Sequence, residues 1–91
     1  MSDLDGNTLP APTASAVLEY IVRSVVDDPD SVQVDVDDDA GGKVRLEVRV
    51  GDGDMGRVIG KRGRVAHAIR TVVRAAASAD DCAVDIEFMD E

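Results

Sequence analysis

Val58-Ile59-Gly60-Lys61-Arg62-Gly63-Arg64 decides how this chain is read, because it reverses the charge of everything around it. The 91 residues include 19 acidic ones, yet none falls between Arg57 and Arg74. That window holds six of the ten basic residues and the only histidine, His67. Glycine at both ends of Gly60-Lys61-Arg62-Gly63 lets a backbone turn tightly and come close to a ligand. An amphipathic run follows at once, so the turn opens a helix. Backbone N–H groups and the positive helix end then face the same way as Lys61 and Arg62. The arrangement predicts a clamp for phosphates.

Working outward, the spacing predicts a longer helix over 64–78 and a shorter one over 54–59. On the longer helix, Val65, Ala68, Ile69, Val72, Val73 and Ala76 share one arc; Arg64, His67, Arg70, Thr71 and Arg74 share the other. Before this pair, Val32, Val34 and Val36 alternate along one strand, and Val44, Leu46, Val48 and Val50 along a second. Asp37-Asp38-Asp39-Ala40-Gly41-Gly42 reads as their hairpin loop. Val84, Ile86 and Phe88 mark a third strand. A first helix is expected from Ser15, carrying Val17, Leu18, Ile21, Val22 and Val25, capped by Ser15 or Thr13 and ended by Asp27-Asp28-Pro29-Asp30. Residues 1–14 lack periodicity and are expected to form a disordered tail, leaving 15–91 as the domain. The fold class is α+β: order α-β-β-α-α-β, a three-stranded sheet with helices packed on one face.

Bulk properties narrow the function. Ninety-one residues suit one domain with a modest core. No apolar run approaches the ~18 residues of a membrane span, and Asp3 and Asp5 stand where a signal peptide would be basic. The expected location is the cytoplasm. The lone Cys82 excludes an intrachain disulfide and a cysteine-based zinc cluster, and Asp80 and Asp81 beside it oppose a reactive thiolate. A net charge of −9 disfavours a general polyanion binder. Weak binding led by the local basic patch is the expectation, since screening over roughly 8–10 Å lets contact charges dominate.

Competing motifs fall away. Gly51-Asp52-Gly53-Asp54-Met55-Gly56 spells a dinucleotide fingerprint, but its strand alternates and its turn carries two carboxylates. The stretch from Gly56 to Arg62 misses the P-loop by spacing and lacks Ser or Thr after the lysine. Asp37-Asp38-Asp39 reads as a solvated turn rather than a cation site. One histidine and one cysteine on different elements make no catalytic dyad, so no enzyme and no cofactor are expected. The Gly60–Gly63 turn also has a bland reading, a tight helix–helix connection.

The α-β-β-α-α-β order with V-I-G-K-R-G-R between the central helices resembles a type II KH domain. "LEYIVRSVVDDPDSV" and "DMGRVIGKRGRVAHAIRTVVRAAA" are similar to the small bacterial single-KH-domain RNA-binding proteins of the KhpA type. The resemblance covers about residues 15–89. It implies a groove for about four unpaired nucleotides, with Gly60 to Gly63 on phosphates and Lys61 and Arg62 as the variable pair. Ile59, Val65 and the edge strand would form the apolar floor under the bases. Val58 is counted with the RNA-binding residues, Arg57 and Arg64 flank the loop closely enough to be contacts, and His67 is either a contact to a base or phosphate or an exposed helix residue. Where the wider KH pattern has a large aliphatic residue, this chain has Ala66, so the floor is expected to be shallow. Tyr20 and Phe88 are the only aromatics and sit in apolar periodic runs, so stacking platforms are expected to be absent. Arg70 and Arg74 are either steering charges or partners for nearby aspartates.

The leading expectation is thus an RNA-binding protein acting on single-stranded RNA with low sequence specificity, as a post-transcriptional regulator or RNA chaperone. The rival is a KH-shaped interaction module. For it the resemblance implies a homodimer, or a heterodimer with a larger Jag-type KH-containing protein. A DNA-binding helix-turn-helix is a third reading, disfavoured because such folds seldom thread the helix pair between strands.

Overall fold

The computed structural model describes residues 10–38 and 43–89. Its elements are α1 (Pro12–Val25), β1 (Gln33–Asp38), β2 (Lys43–Arg49), α2 (Met55–Ile59), α3 (Arg64–Ala77) and β3 (Ala83–Phe88), in the α-β-β-α-α-β order. Asp37 and Asp38, expected in the hairpin loop, continue β1; residues 39–42 lie outside the described residues.

Helix α1 begins at Pro12, three residues ahead of the Ser15 start that apolar spacing predicts. The reason is tertiary. Neither Ser15 nor Thr13 caps it; Ala11 holds the cap position with left-handed angles and no side-chain hydrogen bond. The cap comes from Asp80, whose carboxylate accepts the N–H groups of Thr13 and Ala14 at 3.0 and 2.9 Å. Ala11 and Ala14 are buried beneath it. Residues 10–14 thus depart from the expected tail, and residues 1–9 lie outside the described residues. The far end behaves as the sequence suggests: α1 stops at Val25, and Pro29 opens a three-residue 3-10 turn to Ser31.

Strand β2 is central, antiparallel to β1 and parallel to β3, so β3 is an edge. Two parallel strands need a crossover; α2, the Gly60–Gly63 turn and α3 supply it. Alternation along β2 and β3 puts Val44, Leu46, Val48, Val84 and Ile86 on the buried face, against Leu18 and Val22 of α1 and Ile69 and Val73 of α3. The other face is charged. Asp35, Glu47 and Glu87 are in register across it, and Arg49 donates to Asp35 at 2.8 Å.

Asp54 is the buried charged residue of this core, 3% exposed. Its carboxylate accepts the N–H groups of Asp27 and Asp28, each at 3.1 Å. That staples the α1–β1 connection to the start of α2. The apolar arc of α3 proves wider than the core needs. Ala66, Ile69, Val73 and Ala77 are buried, whereas Val72 is 48% exposed.

Candidate nucleic-acid interface

The turn between α2 and α3 is one 3-10 turn, Lys61–Gly63, closed by the Gly63 N–H donating to the Gly60 carbonyl at 3.2 Å. Gly60 lies at φ 74, ψ 176, a region that is essentially glycine's alone. A Cβ there would run into the Val65 side chain and sit 3.0 Å from the Val65 backbone nitrogen. Gly63 is left-handed at φ 72 but stands in open space. Arg62 is left-handed too, at φ 57, ψ 25. A non-glycine residue held there is strained by about 1–2 kcal/mol, a feature that clusters at ligand clamps.

Beyond the turn, α3 starts with Gly63 at its cap, no side-chain cap and no acidic residue in its first turn. Arg64 stands there instead, although cations are unfavourable at the positive helix end unless an anion joins them. Helix α1, also 14 residues long, shows the opposite arrangement: Asp80 occupies its first-turn donors. The N-terminus of α3 is left open.

Six of the ten basic residues are committed to carboxylates: Arg23 to Glu19, Lys43 and Arg74 to Asp85, Arg45 to Glu47, Arg49 to Asp35, and Arg57 to Asp27 and Asp54. Among the described residues Lys61, Arg62, Arg64 and Arg70 have no carboxylate partner. The expected contact Arg57 is thus tied down, its guanidinium 2.9 Å from Asp27 and 3.5 Å from Asp54. Arg74 takes the aspartate role, 3.9 Å from Asp85. Arg70 has no aspartate partner among the described residues. Its Nε donates to the Ile86 carbonyl at 3.4 Å, and its guanidinium lies 5.1 Å from the centre of the Phe88 ring.

The expected apolar floor divides. Val58 is wholly buried and supports the turn from beneath; its side chain offers no surface. Ile59 is half-buried at the end of α2. Val65 packs beside Gly60 and lines a groove between α1 and α3 with Ile21, Val25, Ala68 and Val72, on the opposite side of α3 from Arg70 and β3. Ala66 is buried. His67 is exposed, on one strip of α3 with Arg70 and Arg74 by its i, i+3, i+7 spacing. Tyr20, which apolar spacing would bury, is 75% exposed. At Cys82, burial and then the carboxylates of Asp80, Asp81 and Asp38 push the thiol pKa up, away from a reactive thiolate.

Sequence reasoning missed Asp54 and Asp80. Nothing local separates these two from the solvated aspartates around them.

Two helices joined by Gly-Lys-Arg-Gly, bridging parallel strands of a mixed three-stranded sheet, define a KH domain of type II topology. The chain belongs to the KhpA/KhpB KH-domain family, whose model matches residues 15–88. It is 47% identical over 75 residues to the RNA-binding protein KhpA of Clostridium acetobutylicum, covering 80% of this chain and 96% of that one. The protein of the same name from Borreliella burgdorferi is 40% identical over 74 residues, covering 81% and 89%. That from Streptomyces coelicolor is 53% identical over 58 residues, covering 64% and 72%. No described helix is long and apolar enough to cross a membrane.

Proposed function

We propose that this protein binds single-stranded RNA in the cytoplasm, weakly and with little sequence preference, as a post-transcriptional regulator or RNA chaperone. The observation that carries this reading is the uncapped start of α3, ringed by Lys61, Arg62 and Arg64, in a chain that pairs most of its other cations. The names of its KhpA relatives support it. Phosphates meet the Gly60–Gly63 backbone and the first N–H groups of α3, while Lys61, Arg62 and Arg64 neutralise them. The bases of about four nucleotides lie towards β3, with Ile59 and His67 at the near end.

The test is fluorescence anisotropy with a short mixed-sequence RNA across a salt series. With about three phosphates neutralised, the log–log salt slope is expected near −2. Lys61→Asp/Arg62→Asp is expected to abolish binding while circular dichroism stays unchanged, since neither residue is buried. Equal binding by the folded double variant would sink the reading.

A second reading rests on the groove between α1 and α3. It is an open apolar hollow of about 330 Å³ lined by Ile21, Val25, Val65, Ala68, Ile69 and Val72, reaching Arg64 at one end. A second copy of the chain, or a larger Jag-type KH-containing partner, covers this face. Pairing two weak RNA grooves in this way raises avidity without any new RNA contact.

A further inference from the structure

Among the described residues Arg70 is the one cation outside the turn region without a carboxylate partner, and the fold holds it in place. Its Nε–H is used on the Ile86 carbonyl at the free edge of β3, and its guanidinium lies against Phe88. A guanidinium carries five N–H donors and no acceptor. The other four have no protein partner among the described residues. Phe88, half-buried at the end of β3, is thereby an aromatic backing for a flat cation, against the expectation of a site without stacking surfaces. Seven residues beyond Gly63, Arg70 stands roughly 10 Å along the helix from the turn, within the span of the nucleotides that follow a clamped phosphate. Its neighbours differ: Arg74, one turn on, is drawn to Asp85, and Lys43 beyond it is paired with the same carboxylate.

From this geometry we infer that Arg70 is a specificity-determining residue, reading one base of the bound RNA through the distal fork of its guanidinium. The inference rests on the RNA reading above. A donor-only fork selects bases that present two adjacent acceptors. Guanine does so with O6 and N7, and cytosine with O2 and N3; adenine and uracil place a donor beside an acceptor on those edges. Phe88 and the Ile86 carbonyl are positioning groups, which hold the fork in one plane. The preference concerns one position in an otherwise tolerant site. An arginine that merely covers the edge of β3 would give no such preference.

The test uses labelled hexauridine and hexamers carrying a single guanosine, cytidine, adenosine or 7-deazaguanosine at each position in turn. For the wild-type protein, guanosine or cytidine at one position is expected to tighten binding on the order of tenfold over hexauridine, and adenosine to give no gain. If guanosine is the base read, 7-deazaguanosine loses the gain; if cytidine is, the deaza change has no effect there. Arg70→Lys keeps the charge without the fork, and Phe88→Leu keeps the apolar bulk without the ring. Both are expected to bring the preference below about twofold while retaining hexauridine binding. The 7-deazaguanosine and cytidine arms need no variant, so misfolding cannot mask the answer. Equal binding of all hexamers by wild type, or an unchanged preference in folded Arg70→Lys, overturns the inference and leaves the clamp standing. No salt-dependent binding of any hexamer overturns both.

Discussion

Gly60 and Gly63 look alike in the sequence and differ in the structure. At Gly60 the backbone occupies the glycine-only region and any Cβ would collide with Val65, itself wedged beside the turn. At Gly63 the backbone is left-handed but the space around it is open. Gly60→Ala is therefore expected to destabilise the fold by roughly 3–5 kcal/mol, combining strain and overpacking. Gly63→Ala is expected to lose about 1–2 kcal/mol from strain alone. Urea denaturation of the two variants checks this, and equal losses would mean the Val65 contact relaxes without penalty. The same distinction separates the cations. Arg57 and Lys61 are both basic residues near the turn, but among the described residues only Arg57 has carboxylates within reach.

Among the elements, α1 and α3 have the same length and opposite N-termini. Helix α1 is closed by Asp80, a residue from the far side of α3. Partial desolvation raises the pKa of this carboxyl, but hydrogen bonds from the N–H groups of Ala14 and Thr13 and from the Thr13 hydroxyl outweigh that and hold it below its ordinary value. The folded pKa thus lies below the unfolded one. The stabilisation is present above the unfolded value of 3.8 and is lost as pH falls through the folded one. Asp80→Asn is expected to lower the melting temperature at neutral pH and to converge with wild type in acid. A gap that stays constant with pH would show that the negative charge is not what caps α1. Helix α3 has no such resident anion among the described residues, and that difference leaves its N-terminus uncapped.

At the scale of the whole molecule, a chain of net charge −9 presents two chemically different surfaces on the flanks of one helix. The side of α3 towards β3 carries Arg70; the side towards α1 carries the apolar groove with Val72. Because Val72 is 48% exposed, Val72→Asp is expected to leave the monomer folded. Sedimentation should then fall from twice the 9.6 kDa chain mass to a single chain. Binding of a short RNA should be retained, and the avidity gain on long RNA lost. A wild-type protein sedimenting as a single chain at every concentration removes the homodimer reading.

The sequence by itself determined the order of elements, the alternation that gives the sheet one buried face, the Gly-x-x-Gly turn and its basic island. These are local properties: side-chain periodicity, the positive φ that glycine permits, and charge counted along the chain. It also carried the family. Only the tertiary structure decided where α1 starts, since its cap is Asp80, 67 positions from Thr13. The same holds for Asp54, which binds the chain 27 positions away. Tertiary placement alone decided that Arg57 is paired with carboxylates while Arg64 is not among the described residues, that Val65 lines the groove beside α1, and that Arg70 rests on Phe88. Burial, ion pairing and hydrogen bonding act over a few ångströms between residues that the sequence holds far apart, so the turn could be read from its own residues but the partners of the residues around it could not.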